Sequence, residues 1–327
     1  MMSRRILLVA LGLGALATPL AAFAQQKGKV WRIGFFGPGS AAANQHRIEA
    51  LKAGLRDLGY VEGKNIAIEF RWADGNYERL SGLAAELVRL KVDVIVTHGT
   101  PGILAVKQAT ATIPIVMATV SDPVATGLVA GLRQPGGNVT GVMFFTQELN
   151  EKRMELVREI FPKARRVAIL ANPDNDSMKP IIPALEVAAK ALKLEFRRFD
   201  VRGLAEFENA FSAMAAWRAD AVIAVDDPML IANDKGIVEQ SSKRRLPLIG
   251  WKEIAEGGGF LGYGVDYPDM FRRSASYVDR ILKGARPADL PVERSTKFEL
   301  VINVKTVNAL GVKLPQSVLV RADRVIE

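Results

Sequence analysis

The chain has 327 residues, 49% of them apolar, no cysteine, and a formal net charge of +9 at neutral pH. That length supports two cores of ordinary size, and the missing cysteine excludes disulfides, thiolate nucleophiles, cysteine-based metal sites and acylated anchors. The basic residues are scattered, with small groups such as Arg197-Arg198, Lys243-Arg244-Arg245 and Arg272-Arg273, so they read as solvated helix faces and no nucleic-acid partner is expected.

The N-terminus reads as an export signal. In "MMSRRILLVALGLGALATPLAAFAQQ", Arg4 and Arg5 precede an uncharged apolar run, Ile6–Ala17, and then Ala22-Phe23-Ala24. This run is too short to cross a bilayer, and the small-x-small end suits a signal peptidase. Residues 1–24 are therefore assigned to a cleavable signal, with the mature chain starting near Gln25 at +7. Ser3-Arg4-Arg5 makes only an incomplete twin-arginine pattern. No later apolar run is long enough for a membrane helix, so a soluble, exported product is expected.

From there, apolar β-branched runs alternate with amphipathic segments, the pattern of a parallel sheet wrapped by helices. Strands are predicted at Val30–Gly37, Asn65–Ala73, Val92–Gly99, Ile113–Val120 and Asn138–Phe145. Helices are predicted at Asn44–Leu58, Tyr77–Leu90, Pro101–Ala109 and Pro123–Arg133. The rhythm then repeats, with strands at Arg166–Leu170, Lys193–Val201, Asp220–Asp226, Leu246–Gly250 and Gly259–Asp266. Its helices are Gln147–Phe161, Lys179–Ala191, Leu204–Trp217 and Pro228–Lys243. A tail helix at Tyr267–Leu282, a strand at Lys297–Val304 and a short helix near Val307 follow both sets. A single sheet of that width would be rare, so the pattern predicts an α/β protein of two doubly wound parallel-sheet lobes. The extra tail elements imply that the chain crosses between them again, as in a hinged pair that closes on a ligand.

Motifs for catalysis are absent. There is no G-x-G-x-x-G after a strand, no Walker loop and no G-x-S-x-G elbow. The two histidines, His46 and His98, lack metal-ligand spacing, so neither a metal nor a cofactor is expected. His98 ends a strand and borders the cleft, where it reads as an ordinary hydrogen-bonded loop histidine. Polar residues recur at the predicted C-terminal strand ends, where open α/β sheets bind ligands. They are Ser40, Thr100, Ser121, Asp122, Asn172, Asp227 and Asp266, accompanied by the aromatic Trp251, Tyr263 and Tyr267. Each polar residue could equally cap a helix; recurrence along the same edge favours a small-molecule site. Of Asp226-Asp227, strand alternation admits only one to the cleft. An exported two-lobed hydrolase or racemase using such acids is the alternative function.

Several long segments carry a resemblance: "GLRDLGYVEGKNIAIEFRWADGNYERL", "IPIVMATVSDPVATGLVAGLRQPGGNVTGV", and the tail "ILKGARPADLPVE" with "LVINVKTVNALGVKLPQSVLVRADRVI". The chain resembles the periplasmic substrate-binding proteins of ABC transporters, in the family that includes tryptophan-associated binding proteins, with a type I periplasmic-binding fold. The resemblance implies three hinge crossings, near Phe144–Gln147, Asp266–Tyr267 and Pro291–Thr296. Lobe one is then 25–145 with 267–291, and lobe two 146–266 with 292–327. It also implies a non-catalytic, monomeric solute receptor that hands a small molecule, an amino acid or small organic acid with an aromatic one among the candidates, to permease subunits, touching the membrane only through that complex. Family-like cleft positions fall on Thr100, Ser121, Asp122, Asp227 and Asp266. Pro228, and the missing glycine in "MFRRSA", depart from the family pattern, so the solute itself is not implied.

Overall fold

The computed structural model describes residues 29–327; the signal assigned to 1–24 lies outside them. The chain opens with β1 (Trp31–Gly37), α1 (Gln45–Asp57), β2 (Ile66–Trp72), α2 (Leu80–Arg89), β3 (Val94–His98), α3 (Thr100–Ala109), β4 (Ile115–Thr119) and β5 (Val139–Met143). After α4 (Thr146–Ile160), the second alternation runs through β6 (Arg166–Ala171), α5 (Met178–Ala191), β7 (Glu195–Asp200), α6 (Phe207–Ala216) and β8 (Ala221–Ala224). It continues with α7 (Pro228–Ala232), α8 (Asp234–Lys243), β9 (Leu248–Gly250), α9 (Lys252–Glu256) and β10 (Leu261–Val265). The tail comprises α10 (Tyr267–Leu282), β11 (Glu293–Arg294), β12 (Phe298–Asn303), α11 (Val304–Leu310), α12 (Gln316–Val320) and β13 (Arg324–Ile326).

Two sheets result, one of six strands in the order β11-β5-β4-β3-β1-β2 and one of seven in the order β13-β12-β10-β9-β8-β6-β7. The first is parallel throughout. In the second, only the β10–β12 pair is antiparallel. Side-chain parity makes both sheets two-faced. Ile33, Val94, Val96 and Val116 pack with Leu51 and Leu55 of α1, and with Phe271 of α10. The alternate residues Phe36, Ile95, Ile115 and Met117 pack on the other face with Leu87 and Ile103. Strands apolar on both faces need helices on both faces. The expected doubly wound α/β architecture is borne out.

The tail joins the sheets. Helix α10 follows the second sheet's β10 yet packs against α1, so closely that a Cβ on Gly54 would lie 2.5 Å from the Arg272 carbonyl oxygen. Strand β11 then pairs with β5, and β12 returns to pair with β10. The chain therefore passes between sheets at Phe144–Phe145, at Asp266 and at Ser295–Lys297.

Two predicted helices are corrected. Pro123–Arg133 forms successive turns, because Gly127 takes φ +70° and Lys107 Nζ holds the carbonyls of Gly127 and Leu128. Pro228–Lys243 breaks at Asn233, whose side chain donates to the Met229 carbonyl at 2.8 Å and so ends α7. The short elements α9, α12, β11 and β13 carry too little periodicity to be read from sequence. Among the described residues, no helix is long and apolar enough to cross a membrane.

Candidate functional site

The C-terminal ends of strands from both sheets converge on one pocket. The first sheet supplies His98, Gly99 and Thr100 after β3, Thr119, Val120 and Ser121 from β4, and Phe144 after β5. The second-sheet side supplies Asn175 and Ser177 after β6, and Asp226, Asp227 and Pro228 after β8. Arg47 of α1, Thr146 of α4, Ile231 of α7 and Tyr267 of α10 complete the lining. The two sides touch at the rim: a Cβ on Gly99, which holds φ +69°, would meet the Pro228 ring at 2.4 Å.

The pocket wall holds polar atoms that the protein leaves unanswered. Thr100, Thr119 and Thr146 are buried, and each Oγ1 lacks a hydrogen-bond partner, as does Nε2 of His98. Buried polar groups are ordinarily satisfied, so four orphans lining one pocket make it the candidate ligand site. Helices α3 and α4 both start here, without a side-chain cap at Gly99 or Phe145. Their N-terminal ends favour negative charge.

Arg47 sharpens this reading. It is 6% exposed, donates to Asn44 Oδ1 at 3.3 Å, and lies with its guanidinium carbon 4.3 Å from the Tyr267 ring centre. Among the described residues it makes no ion pair. A cation in the first turn of α1 opposes the helix dipole, and a buried unpaired charge is costly. An incoming carboxylate removes both penalties. Burial, then the charge of Arg47, lowers the pKa of His98 to about 3, so its imidazole is neutral.

The acids are already engaged. Asp226 is buried and bound by Arg153 Nη1 at 2.5 Å and by the Tyr267 hydroxyl at 2.7 Å. Asp227 caps α7 through the amides of Met229 and Leu230, and accepts from Asn175 at 2.8 Å, Tyr77 at 2.8 Å and Asn172 at 3.4 Å. Burial raises its pKa despite these donors. Both acids line the pocket, against the expectation of one, because β8 ends at Ala224 and strand alternation no longer applies.

Of the residues singled out in the sequence, His98, Thr100, Ser121, Asp227 and Tyr267 line the pocket. Ser40, Asp122, Asn172, Trp251, Tyr263 and Asp266 do not. Ser40 Oγ accepts the Ala43 amide, and Asp122 caps the turn after β4 through the amides of Val124 and Ala125. Asn172 stands behind Asp227. Trp251 is wholly buried in the core, Tyr263 packs on Phe298, and Asp266 caps α10 at the Asp269 amide while lying 3.6 Å from Lys252 Nζ. His98 corrects its own reading: its buried Nε2 has no hydrogen-bond partner among the described residues, and its ring packs 5.5 Å from Phe271. Sequence reasoning missed Arg47, Thr119, Thr146 and Tyr77. Only Arg47 carried a signal, as a cation in the opening turn of a helix.

The family model for ABC transporter substrate binding proteins matches residues 38–326. This chain belongs to that family. The substrate-binding protein is 29% identical over 260 residues to the tyrosine-binding protein of Clostridioides difficile strain R20291, covering 79% of this chain and 74% of that one. It superposes with a TM-score of 0.84 on the Streptococcus pneumonia ABC domain in complex with L-Trp, at 26% identity, covering 90% and 99% of the chains. With a ligand-free, open substrate-binding protein from Clostridium difficile the TM-score is 0.64, at 25% identity, covering 91% and 99%. At near-equal identity, the superposition on the L-Trp complex is the closer of these two. The recognised family and its fold are borne out.

Proposed function

We propose that the protein is the extracytoplasmic receptor of an ABC import system, closing two lobes around a small carboxylate-bearing solute and delivering it to the permease. The observation that carries this reading is Arg47, a buried cation in no ion pair among the described residues, facing a pocket with three unanswered threonine hydroxyls. An amino acid suits the site: the carboxylate meets Arg47 and the uncapped helix ends, and the amine lies towards Asp226 and Asp227. The apolar part rests on Val120, Phe144, Pro228, Ile231 and the Tyr267 ring. The names of the two relatives, one tyrosine-binding and one solved with L-Trp, favour an aromatic member of that class. The lobes are proposed to be the halves built on the two sheets, moving about the three passages between them, with the receptor acting as a monomer. The enzyme alternative gains no support from the acids, since Asp226 is ion-paired and Asp227 is held by five donors.

The test is thermal unfolding of the chain from Gln25 onward, refolded from denaturant to strip carried-over solute, against amino acids, their carboxamides, their amine-free acid analogues, sugars and nucleosides. Saturation at 100 times the dissociation constant adds about 2.7 kcal/mol, a midpoint shift of a few degrees. A shift with carboxylate-bearing solutes and none with their amides is expected. A shift confined to sugars or nucleosides would overturn the reading.

A further inference from the structure

Resting on the reading of the site as an amino-acid pocket, we propose that His98 selects the solute by its ring, accepting a hydrogen bond from an aromatic side chain that carries its own O–H or N–H donor.

The placement supports this. Tyr267 and Phe271 are one turn apart on α10; Arg47 lies against the first ring and His98 against the second. The guanidinium and the imidazole thus pack on rings of successive turns of α10, and both line the pocket, so one solute can meet both. Val120, Phe144 and Ile231 add apolar lining to the same pocket. His98 is 3% exposed and also packs 6.3 Å from Phe35, so its ring is fixed from two sides.

The chemistry of the imidazole then narrows the solute. Its buried Nε2 has no hydrogen-bond partner among the described residues. Held neutral by burial and by Arg47, the ring offers one N–H donor and one bare acceptor. A plain phenyl ring would leave the acceptor buried and unmet, whereas a phenol or an indole supplies the missing donor. With Arg47, Thr100 and Thr146 assigned to the carboxylate, the unmet buried atoms left in the lining are His98 Nε2 and Thr119 Oγ1, and a threonine hydroxyl, which can donate as well as accept, does not select for a donor. A site built to meet such a donor rejects the analogue lacking it, because the protein's own polar atom is stranded.

The decisive experiment is titration calorimetry of the stripped protein with L-tyrosine, L-tryptophan and L-phenylalanine, on wild type, His98→Leu and His98→Gln. Wild type is expected to bind tyrosine or tryptophan about tenfold or more tighter than phenylalanine. His98→Leu is expected to level that preference while still binding phenylalanine, which shows that the variant is folded. His98→Gln, which keeps an acceptor, is expected to retain part of the preference. Equal affinities in wild type, or an undiminished preference in His98→Leu, would overturn the role of His98 and leave the amino-acid receptor standing. Binding of none of the three, in a protein that binds another carboxylate solute, would overturn the aromatic assignment as well.

Discussion

The Tyr77 hydroxyl donates to Asp227 Oδ2 at 2.8 Å and accepts the Met229 amide at 3.3 Å. Tyr77 lies between β2 and α2 of the first-sheet half, and Asp227 caps α7 in the second, so one phenol bridges the cleft at its rim. Burial, then the Asp227 charge, raises the pKa of Tyr77 well above its ordinary value, so the hydroxyl keeps its proton. Removing it in Tyr77→Phe leaves the packing but withdraws a charge-assisted bond, about 1–3 kcal/mol in the closed arrangement. Small-angle scattering of the solute-free variant should show a larger radius of gyration than wild type, and solute affinity should fall about fivefold or more. An unchanged radius and affinity would remove Tyr77 from closure.

Arg47→Met separates binding from folding. The empty protein should be no less stable, because the variant removes a buried cation that has no ion-pair partner among the described residues. Affinity for a carboxylate-bearing solute should fall by about 2–4 kcal/mol, the scale of losing one partner of a buried charge pair. Urea unfolding and calorimetry on the same preparation read the two effects. Loss of stability with unchanged affinity would make Arg47 a structural residue.

Arg153 and Asp226 should behave in the opposite way. Both side chains are almost fully buried, and Arg153 also reaches Asn150 Oδ1 at 2.8 Å and the Tyr263 carbonyl at 2.9 Å. Either Arg153→Met or Asp226→Asn strands a buried charge and should cost about 3–5 kcal/mol. The double variant should cost clearly less than the sum of the two, which a double-mutant cycle in urea would show. Additive losses would mean that the pair is not coupled.

His98 gives a pH signature of its own. Its pKa falls from 6.5 to about 3 on folding. Between those values the unfolded chain binds a proton that the native protein refuses, so native stability falls as pH drops through this window. Wild type should therefore lose more melting temperature between pH 7 and pH 4 than His98→Gln. Parallel curves would show that the imidazole is protonated in the native state.

Much of the architecture was legible because it rests on side-chain parity. Ten strands, from the one beginning at Trp31 to the one ending at Val265, fall inside or beside their predicted runs, since a parallel strand covered on both faces must be continuously apolar. The turns after β4 misled for a local reason: Pro123 and Asp122 mimic a helix start, but Gly127 turns the chain away.

The site divided along the same line. Thr100, Ser121 and Asp227 could be found because position at a strand end follows from the element pattern alone. Whether such a residue faces a solute or satisfies its own backbone is a matter of hydrogen-bond partners, which only the assembled fold supplies. Ser40, Asp122 and Asp266 turned out to serve amides three or fewer residues away. Arg47 and Tyr77 entered from a helix and a loop beyond the strand ends, through packing that no local pattern encodes. The sequence by itself determined two helix-covered sheets and the edge at which the candidate pocket lies. The tertiary structure decided which polar atoms remain unanswered there, because satisfaction of a buried group depends on neighbours distant in the chain.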